Sequence, residues 1–318
     1  MAKLAIRALV SGTGRLKRAG YLLRAKLGLV PHRSEMSSDD FETLQTVCVF
    51  LGPYRNLTTL TASLLSLHPN CQVFNHGGLE IFTETQLNPF ADFSDHTFKR
   101  FCHYVQERSN DDVGGDRGGS ITESHAFGDQ AIRDAYDSRQ LDESQDSIRT
   151  LVWKESLMTT NYLRQRNVNL AELLHANAKL RFLMPIRNPM DCAVSNCKTG
   201  HRKRFLGRVQ NDPFHVLAAV VREIQWFQQL KSEYPNRFFS FFQYELEAGK
   251  FHEIAEFLQL GSDQRWSVQA ARLCRIKPSY DHDEKMISHF RELVIRHFTS
   301  DSEFAAKLSL FADATVAS

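Results

Sequence analysis

Short apolar runs at residues 46–51, 150–154, 180–186 and 238–244, with a briefer one at 72–74, set the rhythm of this chain. They have strand length, and the run at 180–186 shows no stripe of period 3.6, which predicts strands covered on both faces by helices. Pro185 inside that run fits only near a strand's end. Helical spacing follows several of the runs, at residues 58–67 before the stop His68-Pro69-Asn70, and from 190 after the break at Asn188-Pro189. Residues 214–231 put Phe214, Leu217, Val220, Val221, Ile224 and Phe227 on one apolar face, with Trp226 pointing away. Two more amphipathic stretches, 284–298 and 302–311, close the chain. Strand–helix alternation of this kind predicts an α/β protein: a three-layer fold with a central parallel β-sheet flanked by helices. The length suits one large domain over 41–318, preceded by a leader at 1–40. Residues 108–146, rich in Asp, Gly, Ser and Gln, read as an insertion with a short helix near 126–136.

Chemistry gathers where the strands end. Open parallel sheets bind ligands at the carboxyl edge. There the run at 180–186 delivers Arg187, followed by Asp191 and Ser195 beside a new helix N-terminus, a place that favours anions. After 46–51 comes a turn, Gly52-Pro53-Tyr54-Arg55-Asn56, and then a hydroxyl-rich helix start at Thr58-Thr59. Backbone N–H groups and threonine hydroxyls in such a loop cradle a phosphate. Against the Walker pattern, Gly52 holds the first glycine position. Leu57 stands at the second glycine, and Thr58 at the lysine. A nucleotide kinase relative, dependent on Mg²⁺ and ATP, is disfavoured by that missing lysine.

These two segments together resemble the sulfotransferases that use 3′-phosphoadenosine 5′-phosphosulfate (PAPS), with a P-loop-like fold. The family's first loop runs approximately Gly-x-x-[Arg/Lys]-Ser-Gly-Thr-Thr. The resemblance implies that Pro53, Tyr54, Arg55, Asn56, Leu57, Thr58 and Thr59 surround the 5′-phosphosulfate. The second motif, Arg-[Asp/Asn]-Pro-x-Asp-x-x-x-Ser, is matched at every fixed position by residues 187–195, which implies that Arg187 and Ser195 bind the 3′-phosphate. Tyr244, in Tyr-Glu-Leu after the run at 238–244, corresponds to a tyrosine near the adenine. The likeness covers about residues 45–260. Leu57 departs from it, because leucine is disfavoured at φ > 0 where the family has glycine. The departure implies an altered loop or weakened donor binding.

Sulfuryl transfer asks the protein to align two groups, remove a proton and neutralise the leaving phosphate. Arg55 is the candidate cation for the leaving group, and no metal is required. Histidine suits the base because its ordinary pKa lies near neutrality. His76 stands where carbohydrate-modifying members of the family carry a glutamate, and Glu80 is its rival. Lys154 closes the run at 150–154 and is a further catalytic candidate. The Lys-x-His continuation of the cytosolic members is replaced by Lys154-Glu155-Ser156, which favours the carbohydrate-type arrangement. The Arg-Lys-Gly motif of those members is also missing, with Arg275 and Lys277 as weak substitutes.

Composition narrows the rest. Hydrophobic residues make up 42% and the net charge is +2, which gives no case for nucleic-acid binding. The run at 198–208 is locally basic, read either as part of an electrostatic funnel for the nucleotide or as a solvated loop. The acidic tone of 108–146 argues against a heavily sulfated acceptor. Six cysteines without zinc or redox spacing read as reduced core thiols. Residues 1–33 carry eight Lys and Arg and no acidic residue, with no run apolar enough for a membrane anchor or secretory signal. Peripheral contact with an anionic membrane, a transit peptide and a disordered arm stay open. The expectation is therefore a cytoplasmic, PAPS-dependent sulfotransferase acting on a carbohydrate or glycolipid hydroxyl. The alternative is a non-catalytic nucleotide binder whose loop Leu57 has spoiled.

Overall fold

The apolar runs become strands at nearly the predicted bounds: β1 (Thr46–Phe50), β2 (Cys71–Asn75), β4 (Thr150–Lys154), β5 (Leu180–Ile186) and β6 (Phe238–Phe242), joined by a short β3 (Gly119–Ser120). The structure, a computed structural model, describes residues 38–110, 118–140, 148–261, 263–276 and 280–316. The leader, parts of the insertion at 111–117 and 141–147, and Lys277 lie outside the described residues. The strands form one sheet in the order β3-β2-β4-β1-β5-β6, parallel throughout except for the β2–β3 edge pair. From β1 the chain builds outward to β2 and β4 on one side, then returns to β5 and β6 on the other. β1 is thus the switch point, and a crevice opens beyond its carboxyl end.

Alternation along β1 explains the layering. Val47 and Val49 enter one hydrophobic core, while Cys48 and Phe50 enter the other, and all four are buried. The first core holds α4 (Asp95–Arg108), α8 (Pro189–Thr199), α9 (Pro213–Glu233), α12 (Glu284–His297) and α13 (Ser302–Val316) against the sheet. α2 (Thr58–Leu65), α10 (Ala248–Phe257) and α11 (Gln264–Leu273) cover the opposite face. The remaining helices are α1 (Ser38–Thr43), α3 (Gly78–Thr83), α5 (Gln130–Gln140), α6 (Ser156–Gln165) and α7 (Leu170–Ala176). The predicted apolar stripe of α9 is buried from Leu217 to Phe227, and Trp226 turns out of it to lie beneath Arg164, 5.5 Å away. Pro185 is tolerated because it is the penultimate residue of β5. The elements described here belong to one compact unit, Met36–Ser318. Among the described residues no helix is long and apolar enough to cross a membrane.

At the amino-terminal end of β2, His68 is buried edge-on against Trp266, with ring centroids 5.2 Å apart, and its Nδ1 accepts the Asn70 amide. Burial pushes its pKa down to about 4, so the fold holds it neutral. The unfolded chain binds the proton near pH 6.5, so stability is full above that value and falls between pH 6.5 and 4. The ceiling is about 3 kcal/mol. Denaturant titrations of His68→Gln are expected to lack that stretch of acid sensitivity. An unchanged slope between pH 6.5 and 4 would remove His68 as its source.

Candidate active site

The β1–α2 loop owes its shape to positive φ angles. Gly52 sits at φ 98°, where a Cβ would come within 2.3 Å of the Met184 sulfur, so only glycine fits. Arg55 (φ 65°) and Leu57 (φ 61°, ψ 5°) also adopt the left-handed region. The sequence suggested that leucine here alters the loop. Instead the conformation a glycine would adopt is kept, with a strain of roughly 1–2 kcal/mol. Leu57 starts α2 without a side-chain cap, which leaves the first amides of that helix open to an anion.

Asn56 locks this loop to the end of β5. Its side chain is fully buried, donates to the Pro185 carbonyl and accepts the Arg187 amide at 2.9 Å. Both ends of that side chain are therefore spent on the scaffold, and Asn56 lines neither cavity described below. Pro53 is buried too and lines neither cavity described below.

Two cavities open at the carboxyl edge and share a wall of Arg55, Thr58, Thr59 and His125. The larger, about 760 Å³, is lined by Leu57, Arg187, Ser195, Arg275 and Tyr280, with Leu60, Ile132, Leu273 and Ile276 as an apolar flank. Arg55 Nε donates to Ser195 Oγ at 2.9 Å, so the two predicted motifs meet here. Arg187 donates to Asp191 at 3.3 Å and keeps a buried Nε without a hydrogen-bond partner among the described residues. Asp191 also accepts from the Tyr280 amide and from His282 Nε2, both at 2.9 Å. Burial alone raises the Asp191 carboxyl, but donation by His282 and Tyr280 and the Arg187 charge outweigh it and hold the carboxyl below its ordinary value. Among the described residues Arg275 has no acidic partner.

The smaller cavity, about 420 Å³, lies over the ends of β2 and β4 and is lined by Tyr54, His76, Lys154, Glu155, His201 and Arg204. His76 takes φ 65° and Gly77 φ 82°, and the Trp153 indole donates to the His76 carbonyl at 2.6 Å. A Cβ on Gly78 would stand 2.9 Å from Glu155 Cγ, so the turn packs directly on that carboxylate. His76 Nδ1 lies 3.7 Å from Glu155 Oε2, and the Tyr54 hydroxyl donates to Oε1 at 2.8 Å. Burial, then the Glu155 charge, pushes the Tyr54 phenol well above its ordinary range, so it stays a donor. Lys154 is 9% exposed and has no carboxylate partner among the described residues. Burial and then Arg55 hold its amine below the usual lysine value, against an opposing pull from Glu155.

A lysine depressed in this way stabilises the neutral form and weakens the fold while it carries charge. Lys154→Met is therefore expected to raise the thermal midpoint at neutral pH while lowering turnover. The stability gap should shrink as pH rises toward 10.5, where the unfolded lysine also loses its proton. Equal midpoints at neutral pH would show the amine to be effectively solvated.

Two other predicted residues lie away from the cavities. Glu80 is 2% exposed within α3 and lines neither cavity, although Gly78 and Leu79 of the same helix line the smaller one. Tyr244 also lines neither. Its ring stacks on Phe242, and its hydroxyl donates to the Lys307 carbonyl at 2.9 Å, so α13 has captured it. Sequence reasoning missed Glu155, His125, His201, Arg204 and Tyr280. The described part of the insertion supplies His125, Asp129 and Ile132 to the larger cavity. All six cysteines are free, and burial pushes Cys71 and Cys192 up to about 12, which leaves them inert thiols.

No protein-family profile matches the sequence, and neither does any curated protein. Solved structures that match this chain include two sulfotransferases. Mouse sulfotransferase SULT7A1 complexed with PAP superposes with a TM-score of 0.43 at 11% identity, covering 86% of this chain and 89% of that one. The sulfotransferase domain of the Synechococcus PCC 7002 olefin synthase gives 0.37 at 14% identity, covering 78% and 93%. At these levels the likeness bears on neither activity nor residue roles.

Proposed function

We propose that this chain transfers a sulfuryl group from PAPS to a hydroxyl, with the donor in the larger cavity and the acceptor in the smaller. The observation that carries this reading is the shared wall: Arg55, Thr58 and Thr59 of one loop and helix start face both cavities, so donor and acceptor would meet across it. The larger cavity suits a 3′-phosphorylated nucleotide. Arg187, Arg275 and the Ser195 hydroxyl form a donor set for a dianion, and the apolar flank suits a base. When bound, PAPS supplies the activated sulfuryl group. Arg55 and the open amides of α2 neutralise the leaving phosphate. His76, turned by Glu155 so that Nε2 is the free nitrogen, takes the acceptor proton. Lys154 adds positive charge beside the line of transfer.

The acceptor is a hydroxylated carbohydrate or glycolipid headgroup in this proposal, and the chain is one domain from residue 41 with a basic leader suited to a membrane surface. Retention of the left-handed geometry at Leu57 favours an enzyme over a spoiled binder. Leu57→Gly is accordingly expected to change 3′,5′-ADP affinity less than threefold, and a tenfold gain would revive the binder reading. Calorimetry with 3′,5′-ADP against 5′-AMP tests the donor assignment. A preference of tenfold or more is expected, and equal affinities overturn it.

A further inference from the structure

We infer that the acceptor is itself an anion: a small hydroxylated molecule bearing a carboxylate or sulfate ester near the hydroxyl to be sulfated. This rests on the sulfuryl-transfer reading and goes past it, to the charge of the substrate. The argument starts from which charges belong to the smaller cavity alone. Arg55 faces both cavities and is engaged by the donor. Lys154 and Arg204 line only the smaller one, together with the His76 and His201 rings. Its single acidic residue, Glu155, already accepts from Tyr54 and faces His76. Two cations thus remain without a carboxylate among the described residues, around a volume in the range of small-molecule sites.

The placement of Arg204 is built into the fold. α8, which carries Ser195, stops at Gly200 with φ 74°, and residues 201–204 make a single 3₁₀ turn back over the cavity mouth. Asn161 donates to the Arg204 carbonyl at 2.6 Å and pins that turn. The His201 ring packs on Tyr54 at 5.3 Å, with Nδ1 beside the Thr199 hydroxyl at 3.0 Å. Of the basic run after residue 197, His201 and Arg204 line the acceptor side, while Lys198 lies 4.0 Å over the Tyr280 ring at the larger cavity. His201 registers the resulting field. Burial first, then Arg55, Arg204, Lys154 and His76 in turn, lowers its pKa. Cations crowded at one mouth repel each other and concentrate anions. A neutral acceptor gains nothing from that arrangement. The acidic tone of 108–146 does not oppose it, since the described part of the insertion contributes only His125 to this cavity.

Matched acceptor pairs test the inference: p-nitrophenyl β-glucuronide against the glucoside, and galactose 6-sulfate against galactose. Each is titrated by calorimetry into full-length protein saturated with 3′,5′-ADP, whose own binding is measured first. At least one charged member is expected to bind tenfold or more tighter than its neutral twin. Arg204→Gln should shrink that advantage below threefold, Arg204→Lys should keep most of it, and added salt should weaken it. Neutral twins binding as tightly as charged ones, or an advantage that survives Arg204→Gln, overturns the anionic acceptor while the donor reading stands. Absence of 3′,5′-ADP binding overturns the donor reading and this inference with it.

Discussion

Arg187→Gln is expected to erase most of the preference for 3′,5′-ADP over 5′-AMP, weakening 3′,5′-ADP about 10- to 100-fold and 5′-AMP by less than threefold. The size follows from removing a charge-assisted contact to a phosphate, worth roughly 1.5–3 kcal/mol. The asymmetry follows from position, because Arg187 lines the larger cavity with Ser195 and Arg275 and is absent from the smaller one. Glutamine retains a donor for Asp191, and that carboxylate keeps His282 and the Tyr280 amide, so the fold is expected to survive. Thermal unfolding of the variant checks this. Ser195→Ala should move affinity the same way by a smaller step, since its hydroxyl contributes one uncharged hydrogen bond. Parallel losses for both nucleotides would mean that Arg187 holds the loop and not the 3′-phosphate.

The second large effect is expected at His76. His76→Ala should lower turnover about 10²- to 10⁴-fold, the usual contribution of a positioned general base, with 3′,5′-ADP affinity unchanged. Glu155→Gln keeps the Tyr54 contact but removes the charge facing Nδ1. It should lower turnover less than the histidine deletion. Combined, the two substitutions should cost little more than His76→Ala alone, because Glu155 acts through His76. Undiminished transfer in His76→Ala would hand proton removal to Lys154, whose depressed amine sits in the same cavity.

The strands were readable because their apolar runs stop abruptly at the sheet edge, and the doubly covered sheet followed from their lack of alternation. Arg187 and Ser195 stood out through the resemblance of residues 187–195 to a family motif, because a charge after a strand equally fits a surface turn. The other half of the site is assembled by tertiary contact. Glu155 looked like the unspecified residue between Lys154 and Ser156, the serine standing where a histidine was expected, and only the packing of Gly78 against it reveals its neighbour at residue 76. His201 and Arg204 carry no signal beyond local basic charge, which a solvated loop shares. Tyr244 misled because a motif fixes sequence position and not direction. α13 lies outside the motif, and it decides where that ring goes.

Asp191 gives the nucleotide site a timetable. Its carboxylate takes Arg187 from the turn just before its own helix, and Tyr280 and His282 from a segment about ninety residues further along. During synthesis the phosphate loop and the Arg187 strand emerge early, yet the cavity wall bearing Arg275 and Tyr280 emerges near the end. A nascent or carboxyl-truncated chain thus carries both recognisable motifs and cannot close a pocket around a nucleotide. Competence to bind the proposed donor would then report that synthesis has passed His282.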